Sequence, residues 1–385
     1  MNKRLKNFAA PLLAILAVMA PNELYSATFI WDGAGSSANW RNSNWGGVPY
    51  PATGDSIVFA GSTRTSPSNN NNGTSQMLYA QSITFNSTAA AFSLLGGYAL
   101  GIRGSIVNNS SSTQTFNTMG IDLQVPNVEI NTAAGNIVFN SGAAISGANS
   151  LTKTGSANLT LLGNKTYTGA TTVSAGTLTI GSTGLVSGSS LLDVASNATL
   201  NVSAVTGGFV VGSSQTLRGS GTVVGNTTVN GALQPGNSPG LLSFNNDLTL
   251  GNSAVTTMEI NGTGDRGMVY DAINVGGSLT YDGSLLLSLG TTFAVGSYTF
   301  DLFDFGSQTG SFDSVTLGGS YSGSLVNDVG MSTNWGLTSG DQTWAFDQST
   351  GVLALSVIPE PSPLALSGLG LLALAVSALR KRRQP

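Results

Sequence analysis

The chain has no cysteine and no histidine, and only 8% of its 385 residues are charged. Those absences exclude a disulfide framework, Cys/His metal sites, and the Ser-His-Asp and Cys-His triads. Charge this sparse also argues against a helical bundle or a nucleic-acid-binding module. Outside the two ends no window sustains a 3.6-residue apolar stripe, which excludes helix from the middle of the chain. What is abundant is Gly, at 51 residues, with Ser and Asn between recurring Val, Ile, Leu and Thr. Such a composition is neither collagen-like nor that of a disordered chain. The length allows two or three domains, or one long repetitive one.

Both ends read as addresses. Residues 1–27 have the form of a secretory signal peptide, with Lys3, Arg4 and Lys6 ahead of a short apolar run from Phe8 to Ala20. Cleavage after Ser26 or after Ala27 stays open, since neither places a small residue three positions upstream. At the other end, Pro359-Glu360-Pro361 precedes eighteen uncharged residues, Ser362 to Leu379, and then Arg380, Lys381, Arg382 and Arg383. Eighteen residues at ~1.5 Å each span about 27 Å, enough for a transmembrane helix. The basic cluster should remain cytoplasmic, placing the bulk of the chain on the other side of the inner membrane.

This tail resembles the PEP-CTERM sorting signal of Gram-negative bacteria: a Pro-Glu-Pro motif, one membrane span and an Arg-rich end, in that order. The resemblance implies recognition of Pro359, Glu360 and Pro361 by an exosortase, after export by the general secretion machinery. It also implies an association with exopolysaccharide, floc or biofilm matrix, at the cell surface or in the extracellular matrix.

Between the addresses, residues 28–357 carry a net charge of −9, and residues 250–357 hold ten acids against Arg266 alone. That asymmetry disfavours nucleic acid, anionic membrane and, unless divalent cations bridge the two, tight ionic contact with an acidic polysaccharide.

The middle alternates. Asn158 to Leu162, Thr171 to Ala175 and Thr177 to Ile180 have period two and are separated by Gly, Asn and Ser. If Leu159, Leu178, Leu200, Val223 and Leu248 are equivalent inward positions, their separations are 19, 22, 23 and 25 residues. A period near twenty with two or three strands per period predicts an all-β fold, a parallel β-solenoid of about 15 coils; a sandwich is the competing layout.

Residues 147–181 resemble the autotransporter-associated β-strand repeat through Leu151-Thr152-Lys153, Gly155, Leu159, Leu161, Gly163, Asn164, Tyr167, Gly169, Thr171, Val173, Ala175, Gly176 and Leu178. Trp31-Asp32-Gly33, Trp40, Trp45 and Asp55 to Phe59 look like the portion that often precedes such repeats. Leu233-Gln234-Pro235-Gly236-Asn237-Ser238-Pro239-Gly240 is similar to that family's lead-in to its last coils. The resemblance implies a right-handed parallel β-helix. Because no membrane β-barrel follows, it implies a passenger-like rod without self-secretion.

The expected organisation is therefore a signal peptide (1–27), an N-terminal cap and first coils (28–146), the repeat region (147–250), acidic coils with a cap (251–357) and the sorting signal (358–385). No catalytic residue, cofactor or metal ligand is expected. Asp301 and Asp304 fall on opposite strand faces, and Glu129 and Glu259 are far apart. Gly262-Thr263-Gly264-Asp265 reads as a solvated turn rather than a calcium loop, and Asn69 to Asn72 as a flexible loop or a corner insertion. Lys153 and Lys165 are expected to be exposed. Trp31, Trp40, Trp45, Trp335 and Trp344 lie near the two ends of the rod, either sealing its open interior or stacking on sugars. The function expected is a structural or adhesive one, with exopolysaccharide as the candidate partner. A β-helical polysaccharide lyase or hydrolase and a carbohydrate-binding adhesin are the alternatives.

Overall fold

A computed structural model describes residues 26–47, 50–69, 77–237, 239–327 and 334–359. Among them there is no helix, and the regular structure is short strands. The expected signal peptide lies outside the described residues up to Tyr25, and so does the sorting tail from Glu360 onward. No described helix is long and apolar enough to cross a membrane.

Strand alternation decides which side chains point inward. In Asn158–Leu161 and Thr177–Ile180, the residues Leu159, Leu161, Leu178 and Ile180 are fully buried, while the Asn and Thr between them stay partly exposed. The strands then stack in parallel. Leu159 lies on Leu178, Leu178 on Leu200 and Leu200 on Val223. Ile137 and Gln114 extend this column one way, and Phe244, Val275 and Phe305 the other.

One member of the expected column is corrected. Leu248 stacks on Thr227 in a neighbouring column, and Phe244 takes its place. The third strand of each coil is regular again from Phe209 onward, so two inward positions four residues apart compete for one alignment.

Each coil has three faces. The first runs through thirteen successive strands, from Thr28–Trp31 to Ser314–Gly319, each parallel to the next. The second carries Ile137–Phe139, Asn158–Leu161, Thr177–Ile180, Thr199–Asn201, Thr222–Val224 and Leu241–Phe244. The third is regular in parts, as in Ile121–Leu123, Ile145–Ser146, Phe209–Val211, Thr227–Val229 and Leu248–Leu250. Twelve steps of ~4.8 Å make the stack about 58 Å long.

The stack is shorter than the sequence period predicts because the chain leaves it near residue 319. Beyond that point Gly323–Asn327, Asn334–Ser339, Gln342–Asp347 and Val352–Val357 pair antiparallel, and Gly296–Asp301 joins the last of them.

Corners are as constrained as faces. Gly176 has φ +64°, and a Cβ there would sit 2.4 Å from the carbonyl oxygen of Gly155. The corner of one coil rests directly on the corner beneath, which only glycine permits.

Candidate functional site

All five tryptophans are buried. Trp31, Trp40 and Trp45 form one aromatic cluster with Phe59: ring centroids are 5.0 Å apart for Trp31 and Trp45, and 5.5 Å for Trp40 and Trp45, both edge to face. Phe59 stacks on Phe85 at 5.2 Å, which joins the cluster to the column of the first face. At the other end Trp344 packs against Tyr321 at 5.0 Å, and the Trp335 indole donates to Gln348. Sugar stacking needs an exposed ring face. None of the five offers one, so that reading of the tryptophans is corrected.

Lys153 and Lys165 are also corrected, because both are fully buried. Lys153 occupies an inward column between Ile130 and Val173. Its Nζ donates to the carbonyl oxygens of Thr154, Gly155 and Ala175 at 2.8, 2.8 and 2.9 Å. Lys165 reaches the oxygens of Asn140 and Ala143 at 3.2 and 2.7 Å. Each ammonium thus satisfies corner carbonyls that turn inward, and neither has a carboxylate partner among the described residues. Burial lowers both from 10.5 to about 8. The signal was legible: Lys153 has the same parity as Leu151, two residues earlier.

A buried hydroxyl chain completes this coil. Tyr167 and Thr171 share a hydrogen bond of 2.6 Å, Thr171 and Ser189 one of 2.8 Å, and Ser189 donates to the Gly169 carbonyl at 2.9 Å. Burial pushes Tyr167 up to about 12.

Away from the expected residues, a cleft opens on the outer side of the first face. Asp193, Arg218 and Gln234 stack in register, and Thr257 and Glu259 come from the next coil's Val255–Ile260. The corner after Pro235 folds back, with Gly236 bridging antiparallel to Gly219. Asn237 on this corner donates to Asp193 Oδ2 at 3.4 Å, and Arg218 donates to the same oxygen at 2.8 and 3.1 Å. Asp193 is 6% exposed, and its other oxygen is buried with no hydrogen-bond partner among the described residues.

Asp271 is the strap of the cleft. It accepts the Gly240 amide at 2.8 Å and the Glu259 amide at 2.7 Å, tying the back-folded corner to the next strand. Burial, with a smaller contribution from the Glu259 charge, pushes its carboxyl up to about 7. Arg218, Gln234, Asn237, Thr257, Glu259 and Asp271 bound a cavity of about 170 Å³. Sequence reasoning missed it. The signals were the back-folding Pro235-Gly236-Asn237 corner and the lengthening of the column step from near twenty residues, up to Phe244, to 31 residues between Phe244 and Val275.

Other carboxylates do not converge. Asp301 and Asp304 are exposed, and Asp301 lies 3.5 Å from Arg266. Among the described residues no group of three or more acidic side chains is placed to hold a metal ion. Pro359 is exposed, immediately beyond the terminal strand Val352–Val357; Glu360, Pro361 and the cluster Arg380, Lys381, Arg382 and Arg383 lie outside the described residues.

Stacked parallel coils with buried aromatic clusters toward both ends of the stack define an all-β, β-helical rod. Comparison with known proteins agrees with that class. Residues 151–180 match the family described as passenger-associated-transport-repeat. Over 191 residues, 47% of the chain, the sequence is 31% identical to the adhesin BmaC autotransporter of Brucella suis biovar 1. The matched portion spans about 5% of that relative's length. No solved structure matches the chain.

Proposed function

We propose that the protein is an exported, non-catalytic adhesive or structural rod of a Gram-negative cell envelope, working in or on an extracellular polysaccharide matrix. The observation that carries this reading is the unbroken parallel stack around residues 151–180, where the sequence matches a passenger repeat. A rod presents a long lateral surface from little chain, which suits multivalent attachment rather than turnover. The adhesin named above supports attachment over catalysis. In this reading the coil is right-handed, the hand that parallel strand crossovers almost always take.

Delivery follows from the two ends. Residues 1–27 direct export, and the apolar tail holds an inner-membrane intermediate with Arg380, Lys381, Arg382 and Arg383 in the cytoplasm. An exosortase then acts near Pro359-Glu360-Pro361. The exposure of Pro359 just beyond the last strand supports access to that motif.

Mass spectrometry of the C-terminus of protein recovered from cells and medium tests delivery. Mature protein should lack the tail, and an intact Arg383-Gln384-Pro385 end on all of it would overturn the sorting step. Adhesion is tested by co-sedimentation of the secreted protein with the cells' own polysaccharide, where no retention above a buffer control would remove the adhesive role.

A further inference from the structure

We propose that the cleft between Arg218 and Asp271 holds one neutral sugar unit of a polysaccharide chain. The inference rests on the adhesive reading and adds to it a site and a ligand class. Elsewhere the described faces are runs of short strands. Here two interruptions of the coil period, the corner after Pro235 and the segment between Ile260 and Asp271, converge over one stretch of sheet.

Size comes first. A cavity of about 170 Å³ is below the ~300–1,000 Å³ of sites for drug-sized ligands. It displaces about six waters at ~30 Å³ each, the scale of a single pyranose ring.

Hydrogen-bonding chemistry comes second. Arg218 and the amide groups of Gln234 and Asn237 supply donors, Glu259 supplies acceptors, and Thr257 supplies both. A sugar hydroxyl donates and accepts at once and therefore uses both kinds, whereas a simple anion or cation uses one.

Charge comes third. Arg218 is already paired with Asp193, which leaves Glu259 and the partly ionised Asp271 to set the sign. A uronate or a sulfated sugar would be repelled. Residues 250–357, with ten acids and one base, reinforce that bias.

The side chains are also held in advance. Asp193 fixes both Arg218 and Asn237, Asp271 fixes the backbone of Glu259, and one buried Asp193 oxygen has no hydrogen-bond partner among the described residues. Preorganisation of this kind lowers the ordering cost of binding.

The test uses the full secreted chain, titrated separately with D-glucose, D-galactose, D-mannose and N-acetyl-D-glucosamine and followed by saturation-transfer difference NMR. D-Glucuronate serves as the charged control. At least one neutral sugar should give a saturable signal. Glu259→Gln and Gln234→Ala should each weaken it at least tenfold, and Thr199→Ala, on the second face, should leave it unchanged. D-Glucuronate should bind at least tenfold more weakly.

No signal from any of the four neutral sugars, stronger binding of D-glucuronate, or unchanged binding in both cleft variants would overturn the proposal. Circular dichroism shows whether Glu259→Gln folds; if it does not, the exposed Gln234→Ala decides alone. Retention of the cells' own polysaccharide is measured on the same samples. Retention without any sugar signal overturns the cleft and leaves the adhesive rod standing, while loss of retention in the wild type overturns the rod's role itself.

Discussion

The ammonium group of Lys153 donates to the carbonyl oxygen of Ala175, 2.9 Å away and one coil further along the rod. The same Nζ holds the carbonyls of Thr154 and Gly155, so one cation ties two stacked corners together. Removing it leaves three inward carbonyls without this donor. Lys153→Met, which keeps most of the buried stem, is expected to cost about 1–3 kcal/mol. Urea denaturation measures this, and an unchanged midpoint would show that the corners do not need the clamp.

Stability should depend on pH in opposing limbs, falling, then rising, then falling again. The folded values of Lys153 and Lys165, about 8, lie below the 10.5 of the unfolded chain. Between pH 8 and 10.5 the unfolded chain therefore holds more protons, and stability rises with pH. Asp271 has the opposite sign. Its folded value of about 7 lies above 3.8, so stability falls as pH rises from about 4 to 7. Tyr167, raised to about 12, makes stability fall again above pH 10. Thermal melts across this range should show a minimum near pH 7–8. The rising limb should shrink in Lys165→Met and the falling limb in Asp271→Asn; persistence of both limbs in these variants would contradict the assignment.

Leu178 lies in register between Leu159 and Leu200 with no exposure. Leu178→Ala should destabilise the rod by about 2–5 kcal/mol, since it opens a cavity in a continuous column. Thr199→Ala, outward on the next coil, should stay within about 0.5 kcal/mol of the parent. Equal effects at the two positions would contradict the inward–outward assignment.

At Gly176 the expected loss has a different origin. Alanine would strain the backbone at φ +64° and press on the Gly155 carbonyl at 2.4 Å. A destabilisation of about 1–3 kcal/mol should follow without loss of any side-chain contact. A neutral Gly176→Ala would mean that the corners are not stacked as described.

Trp45 touches Trp31, Trp40 and Phe59 and is 1% exposed. Trp45→Ala should cost about 3–5 kcal/mol. In the native protein iodide should quench tryptophan fluorescence weakly, and urea should restore full quenching. Strong native quenching would bring back the reading of exposed, sugar-facing rings.

Much of this architecture was legible because strand parity is a local property. Leu159, Leu161, Leu178 and Ile180 announce their inward face through the Asn and Thr residues that separate them. Lys153 obeyed the same parity. A lone lysine is ordinarily kept hydrated, and only the inward corner carbonyls of Thr154, Gly155 and Ala175 make its burial tolerable. Leu248 failed for a different reason: its alternation is correct, but parity is silent on which column an inward residue joins.

By itself the sequence determined the inward side of the strands and the glycine corners, because these depend on residues one or two apart, and the period, because the alternating runs recur every twenty or so residues. The tertiary structure decided how coils pair across insertions, and so which residues meet. Arg218, Glu259 and Asp271 converge because a corner after Pro235 folds back over the sheet, and the antiparallel strands after residue 319 end the stack where the parallel period stops. Contacts of that kind depend on how much chain separates two levels of the rod, and no local pattern in the residues records it.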